Sequence, residues 1–174
     1  MGMMARWVRL QRSCRLSLRT AFAGFARAQP ARAAPTVVWA PDEDEGYAFA
    51  LVAPVRLAPG RPWRWRPWAL APCIATYRLF GERAYLDGDD IWLGGRRIAT
   101  SEAAAIGECA VVASSFLSRL PRRAADWTER NLVAAFRARI EAQHGWQFDH
   151  SWPSAAETVS IADALAAEEA IAER

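Results

Sequence analysis

The stretch Tyr85-Leu-Asp-Gly-Asp-Asp-Ile-Trp-Leu-Gly-Gly-Arg-Arg-Ile-Ala-Thr100 decides the fold of this chain. Short apolar runs flank the Gly94-Gly95 pair, and two glycines between such runs are typical of a tight hairpin turn. The sequence therefore predicts strands over Asp90–Leu93 and Arg96–Ser101. A further strand is predicted just before them, over Arg83–Leu86.

This hairpin resembles the core hairpin of the biotin and lipoate protein ligases. In that family an Asn-Asp pair opens the first strand, and a Gly-Arg-Lys-Ile-Ala-Gly run follows the turn. The corresponding residues here are Asp89-Asp90 and the run from Gly95 to Thr100. The resemblance implies a catalytic position at Arg97, where the family has the lysine that holds the acyl-adenylate. It also implies a set of substrate-binding residues: Asp89, Asp90, Arg96, Ala99 and Thr100.

The resemblance extends over about residues 15–150 and is slightly greater with the lipoate branch. The run Ala99-Thr-Ser-Glu-Ala-Ala and a helix over Asp126–His144 suit that branch. The biotin ligases carry a Gly-Arg-Gly-Arg loop that folds over the adenylate. Here the corresponding segment is the short acidic run Pro41–Gly46, predicted to be an exposed turn that would repel a phosphate.

The replacement of lysine by Arg97 bears on catalysis. The chain contains no lysine at all, and its 22 basic residues are all arginine. A guanidinium is planar, bulkier and harder to deprotonate than an ammonium, so the exchange is not conservative. A displacement of about 1 Å in an active site can cost on the order of 100-fold in rate. We therefore expect ligase chemistry to be impaired or lost.

Two functions follow from the resemblance. The first is a ligase or acyltransferase that acts on a lipoyl, octanoyl or biotinyl group and on a carrier domain, with ATP as co-substrate if activity is retained. The second is a non-catalytic domain of the same fold that binds a small acid, a carrier domain or another protein. The sequence does not decide whether the chain is an enzyme.

The predicted architecture is α+β, with a mixed sheet that contains the hairpin and is flanked by helices. A chain of 174 residues fits one domain. Its ligase-like body is expected over residues 35–150, with strands at Thr36–Ala40, Tyr47–Val55 and Glu108–Leu117 and a helix at Pro67–Phe80. A C-terminal helix is expected over residues 151–174, weakly docked because it is mostly alanine.

Residues 1–34 are predicted to be a basic surface helix or a partly disordered segment. Arg6, Arg9, Arg12, Arg15 and Arg19 recur at three- and four-residue steps, which favours a helical stripe. The same composition is also typical of a transit peptide, and a misassigned start codon would explain it as well.

The charge distribution argues against nucleic-acid binding by the folded part. Residues 42–174 hold 15 arginines and 19 acids, a net charge of −4, so the basic character comes from the N-terminal segment. A nucleic-acid role would have to work through residues 1–41. No apolar run is long enough to span a membrane.

Cysteine and histidine usage argues against a structural zinc site. Cys14, Cys73 and Cys109 are widely spaced and only two histidines are available, which suits a reducing, cytoplasmic location. A Cys109–histidine nucleophile pair and a Mg²⁺ site in the Asp87–Asp90 turn stay as weaker alternatives, and no metal is expected. His144 is expected to act as a cation at a helix C-terminus.

Local patterns give three further expectations. Arg61-Pro-Trp-Arg-Trp-Arg-Pro-Trp68 is expected to be an extended loop whose tryptophans cover the sheet, with base or phosphate binding as the alternative. Capping boxes are expected at Asp126–Glu129 and Ser154–Glu157. Gly145 is expected to end the helix that precedes it.

Overall fold

The computed structural model describes residues 2–10, 18–42, 46–120 and 126–172. These residues form an α+β fold with two sheets and four helices, and α+β is the fold class that the sequence predicts. The elements in chain order are β1 (Met3–Arg9), α1 (Leu18–Arg27), β2 (Thr36–Asp42), β3 (Gly46–Pro54), α2 (Trp65–Leu79), β4 (Ala84–Asp87), β5 (Asp90–Leu93), β6 (Arg96–Thr100), β7 (Glu102–Ile106), β8 (Cys109–Leu117), α3 (Glu129–His144), β9 (Trp146–Ser151) and α4 (Ala155–Ala172).

The larger sheet is mixed and has the strand order β7-β8-β3-β2-β1-β9. β1 runs parallel to both of its neighbours, and the other pairs are antiparallel. Every residue of β3 except the half-buried Tyr47 is buried. Such a continuous apolar run is expected for a strand that is covered on both faces. The strand predicted at Tyr47–Val55 is thus confirmed and lies in the interior of the sheet.

The N-terminal segment differs from the prediction, because Met3–Arg9 is a strand and not a helix. Its side chains alternate between the two faces of the sheet: Ala5 and Trp7 enter one core and Val8 the other. Pairing on both edges outweighs the helical spacing of the arginines. The later part of the segment is helical, as expected, in α1. Residues 11–17, with Arg12 and Arg15, lie outside the described part.

Two hydrophobic cores lie on opposite faces of the larger sheet. The first holds α2, α3 and the smaller sheet, with side chains such as Leu70, Tyr77 and Phe136. The second is covered by α1, with Phe22 and Phe25, and by α4, with Leu165. The predicted hairpin is thereby separated from α1 and α4 by the whole sheet.

The hairpin forms as predicted but lies outside the mixed sheet. β4, β5 and β6 make a separate three-stranded antiparallel sheet. Gly94 and Gly95 have φ angles of 58° and 86°, the positive values that a two-residue hairpin turn requires. Ala84, Ile91 and Leu93 are buried in the first core, so this small sheet packs by its apolar face instead of extending the larger one.

Besides β1, two strands were missing from the prediction. β7 is rich in alanine, and β9 carries Gln147, Asp149 and His150, so neither has the β-branched composition that marks strands. They form the two edges of the larger sheet. The strand predicted over Glu108–Leu117 is therefore not the last one.

The Trp/Arg segment coils instead of extending. Pro62–Arg64 is a short 3₁₀ helix and α2 begins directly at Trp65. Trp65 is buried, and its indole N–H donates to the Pro59 carbonyl at 2.8 Å. Trp63, by contrast, is 64% exposed, so only part of the tryptophan set covers the fold.

Of the two predicted capping boxes, the one before α4 is confirmed and the one before α3 is wrong. The N-cap of α3 is Thr128, whose hydroxyl accepts from the Asn131 amide at 3.3 Å, and not Asp126. Gly145 ends α3 in the left-handed region, as predicted. The box before α4 forms: the Ser154 amide donates to Glu157 at 2.7 Å, and the Glu157 amide donates to the Ser154 hydroxyl at 3.3 Å. None of the described helices combines the length and apolarity needed to cross a membrane.

Candidate functional site

A cleft of about 550 Å³ opens beside the hairpin. β6 forms one wall, the connection between α2 and β4 another, and the chain just after β8 the third. Four apolar side chains and four arginines line it, together with Glu82 and Gly94: Leu93, Ile98, Leu117 and Leu120, and Arg83, Arg96, Arg97 and Arg119. A concave site with apolar walls and a few charged groups is the usual form of a small-molecule site.

The charges in this cleft are unbalanced. Within the described ranges, the side chains of Arg83, Arg96 and Arg119 make no hydrogen bond or ion pair. Arg97 has a long contact of 3.6 Å to the Asp90 carboxylate, and its side chain is 62% exposed. Glu82, which is 6% exposed, is the one carboxylate among the lining residues. Four guanidinium groups against one carboxylate create a positive potential that favours an anionic ligand.

Arg97 sits at the rim of the cleft and not on its floor. It pairs across the hairpin with Trp92, and opposite residues in a strand pair share one face. Trp92 stacks on Tyr85 of β4 on the outer face of the small sheet. The register shifts next to this pair, so that Ile91 faces Ala99 and Ile98 is the extra residue of a bulge. Bulges commonly redirect side chains at a site, and here Arg96, Arg97 and Ile98 all line the cleft.

The other predicted site residues lie outside the cleft lining and hold the hairpin in place. The Asp89 carboxylate pairs with Arg66 of α2 at 3.0 Å, and its carbonyl accepts from the Ser101 amide and hydroxyl at 2.7 and 2.8 Å. The Thr100 carbonyl accepts from the Ser114 hydroxyl of β8 at 3.0 Å. Ala99 is half-buried against the first core. Asp90 reaches the cleft only through its contact with Arg97.

Sequence reasoning missed Arg83, Arg119 and Glu82. Glu82 and Arg83 lie in the connection between α2 and β4, Arg119 follows β8, and the fold brings all three to the cleft beside the hairpin. No spacing pattern could have identified them.

The structure supports neither a cationic His144 nor a Cys109–histidine nucleophile pair. His144 lies between Trp68 and Trp146, with ring centroids 5.0 and 4.7 Å away. Burial lowers the pKa of His144 to about 4, so the side chain is neutral at neutral pH and the expected cation at the end of α3 is wrong. Cys109 is buried in the second core, and burial, with the charge of Glu108, raises the pKa of its thiol.

No cluster of three or more His, Cys, Asp or Glu side chains with the spacing to hold a metal ion occurs among the residues that the structure describes. The turn that contains Asp87, Asp89 and Asp90 therefore has no metal-binding geometry of that kind.

Solved structures of lipoate and biotin protein ligases superimpose on this chain, whereas no family model and no curated protein sequence matches it. Lipoate-protein ligase A, solved with bound ATP, aligns with a TM-score of 0.75 at 12% identity, covering 94% of this chain and 95% of that one. The chain has the fold of the lipoate and biotin protein ligases.

Two further structures refine this similarity. The bi-partite lipoate protein ligase of Thermoplasma acidophilum, studied with its E2 lipoyl domain, aligns with a TM-score of 0.73 at 8% identity over 94% of this chain and 92% of that one. The biotin protein ligase of Aquifex aeolicus aligns with a TM-score of 0.54 at 9% identity over 82% of this chain and 69% of that one. The resemblance expected from the hairpin is confirmed in fold, and it is greater on the lipoate side.

Proposed function

We propose that this chain binds a lipoyl or octanoyl acyl group in the cleft beside β6 and recognises the carrier protein of that group, with ligase chemistry impaired or lost. The observation that carries the proposal is the composition of the cleft. Apolar Leu93, Ile98 and Leu117 suit a medium-length acyl chain, and the unpaired guanidinium groups suit its carboxylate or an attached phosphate.

The impairment follows from Arg97. The resemblance puts this residue in the place of a lysine that contacts both the acyl carbonyl and the phosphate. Its guanidinium is largely exposed and has an acidic neighbour in Asp90, so it is held at the cleft entrance. A charge at the entrance can attract an anion, but it does not reproduce a point donor at the reacting atoms.

The second candidate is a binding domain without catalysis, which takes a small acid or a protein. The observation that favours it is the combination of an arginine-lined cleft suited to an anion with the missing lysine. The two candidates agree on binding and differ in turnover.

Isothermal titration of the full chain against octanoate, lipoate, biotin and ATP tests the proposal. We expect octanoate or lipoate to bind, and Arg97→Ala or Arg96→Ala to weaken that binding by about 10-fold, since a charged hydrogen bond contributes about 1.5–3 kcal/mol. Arg56→Ala, an exposed arginine in the 3₁₀ helix Val55–Leu57, is the matched control and should leave binding unchanged. If no acid binds, or if all three variants behave alike, the cleft is not the acyl site.

A further inference from the structure

The segment between β3 and α2 lies at the end of the larger sheet opposite the cleft. In the antiparallel pair of β3 and β8, Gly46 lies beside Leu117, which lines the cleft, whereas Pro54 lies beside Cys109. β3 has 9 residues, so its two ends are roughly 25 Å apart. Residues 55–64 are therefore remote from the proposed acyl site, and a role for them goes beyond the proposed function.

A fixed backbone presents this segment to solvent. It contains two 3₁₀ helices, Val55–Leu57 and Pro62–Arg64. The buried Trp65 holds the connection between them, because its indole N–H donates to the Pro59 carbonyl at 2.8 Å. Residues 60–64 are nevertheless all exposed. Their side chains thus project from a shape that the core holds in place.

Apolar area is left in water on this segment. Trp63 is 64% exposed and Val55 is 40% exposed, and the exposed Pro62 precedes the tryptophan. An indole has one of the largest apolar surfaces of any side chain, and here most of it contributes nothing to the core. Apolar side chains grouped at one exposed point, unlike single scattered ones, indicate a contact with something outside the chain.

Unpaired positive charge surrounds these apolar side chains. Residues 47–81 contain five arginines and no Asp or Glu. Three of these arginines are exposed, and their side chains make no hydrogen bond or ion pair with a described residue: Arg56, Arg61 and Arg64. The exposed Glu108, whose carbonyl accepts from the Val55 amide at 2.9 Å, offsets only part of this charge. We call the three arginines, together with Trp63 and Val55, the Trp63 tip.

We propose that the Trp63 tip binds the surface of an anionic membrane, with the indole in the headgroup region and the arginines on lipid phosphates. Tryptophan favours this region because its ring is apolar at one end and carries an N–H donor at the other. Arginines near an anionic leaflet are attracted to it, and the attraction falls with salt. Stable attachment takes more than one signal, and the tip supplies an apolar and an electrostatic one.

A single-stranded nucleic acid fits the tip less well. Such ligands stack their bases on free aromatic faces. The Arg61 guanidinium lies 5.0 Å from the centroid of the Trp63 ring and covers one of its faces. Val55 would contribute to neither base stacking nor phosphate contacts, whereas its side chain adds to the area that enters a lipid surface. The composition of the tip therefore favours a membrane.

The chain offers matched controls at the other end of the sheet. Trp152 is 68% exposed and follows β9. β9 is parallel to β1 and β2, and these run antiparallel to β3, so Trp152 lies at the end of the sheet opposite Val55. Arg130 is exposed at the start of α3, where the adjacent Glu129 pairs with Arg9 at the end of β1. Both controls match the tip residues in type and exposure but not in position.

Flotation of the full chain with lipid vesicles tests the inference. We expect binding to mixed phosphatidylglycerol and phosphatidylcholine vesicles that weakens as NaCl is raised from about 50 to about 300 mM, and no binding to phosphatidylcholine alone. Trp63→Ala should weaken the binding about 10-fold and Arg64→Gln about 5-fold. Trp152→Ala and Arg130→Gln should stay within ~2-fold of wild type. Circular dichroism of each variant confirms that it is folded.

The inference is overturned if the wild-type chain does not bind the anionic vesicles, or if tip and control variants have equal effects. It is also overturned if Arg96→Gln weakens the binding more than Arg64→Gln, since the cleft would then be the part that contacts lipid. A single-stranded oligothymidylate is titrated in parallel. If it binds more tightly than the vesicles and Trp63→Ala abolishes that binding, the tip is a nucleic-acid site and not a membrane site.

Discussion

Arg6 of β1 and Glu157 of α4 are 151 residues apart in sequence and form a partly buried ion pair, with Nη2 and Oε2 separated by 3.1 Å. The Glu157 carboxylate also accepts from the Gln29 amide at 2.6 Å and from the Ser154 backbone amide at 2.7 Å. Burial alone would raise the pKa of Glu157, but these hydrogen bonds and the charge of Arg6 lower it to about 2. α4 is therefore fixed to the sheet by a saturated carboxylate.

Glu157→Gln should destabilise the protein by about 2–4 kcal/mol, because one end of a glutamine amide is a donor that would face other donors in a buried site. Urea unfolding at neutral pH measures the change. The wild-type contribution is complete above pH 4.5, the ordinary pKa, and is lost as pH falls toward 2. The control is Glu102→Gln, whose partner Arg19 is exposed, with an expected change within ~0.5 kcal/mol. Equal effects of the two variants would contradict the special role of Glu157.

His144 should make stability fall between about pH 6.5 and pH 4. Its pKa is lowered on folding, so the unfolded chain binds the extra proton in this range and acid favours unfolding. We expect a loss on the order of 1–2 kcal/mol between about pH 7 and pH 5, above the range in which Glu157 titrates. Unfolding midpoints at both pH values measure it.

His144→Phe should remove this pH dependence, and it removes an Nε2 atom that is buried without a hydrogen bond to any described residue. His150→Gln, which changes the second of the two histidines, should retain it. The assignment is wrong if the His150 variant becomes pH-independent and the His144 variant does not.

Gly24→Ala should separate α1 from α4. An added Cβ would lie 2.7 Å from the Ser160 carbonyl oxygen and 2.8 Å from the Ile161 Cα, and backbone atoms cannot yield as a side chain can. We expect a loss of about 1–3 kcal/mol although alanine favours helices. Gly60→Ala has open space around its Cβ and should be neutral or slightly stabilising. Similar unfolding midpoints for both variants would show that the helices do not meet closely at Gly24.

Arg97→Lys should restore acyl transfer if the arginine is what limits catalysis. With lipoate, ATP and a lipoyl domain we expect at least ~10-fold more transfer than in wild type, since reaction rates depend strongly on the placement of such a donor. The mass shift of the acceptor domain measures transfer, and because the natural chain has no lysine, wild type cannot divert the acyl group to a lysine of its own. Arg96→Lys is the control and should show no gain. If the two variants are equally inactive, the binding function without catalysis is favoured.

The sequence predicted the parts of the fold that depend on local rules. The hairpin turn followed from Gly94-Gly95, the interior strand β3 from its apolar run, and the end of α3 from Gly145. It did not predict β1, because Arg6 and Arg9 suggested a helix and the pairing of this strand with β2 and β9 is not local. The sequence predicted only part of the cleft lining. Arg96 and Arg97 belong to a motif, whereas Arg83 and Arg119 reach the cleft only through tertiary packing.

The pairing of β1 with β9 joins the two ends of the chain, so it can form only late in synthesis. Met3 pairs with Trp146 and Arg6 pairs with both Thr36 and Asp149, so this strand gains its second partner only after almost the whole polypeptide has been made. Until then the β1 side of the sheet keeps an open edge, with the apolar side chains of Trp7 and Val8 incompletely covered. A nascent chain stalled on the ribosome before residue 146 would thus offer a chaperone a strand that the finished protein hides.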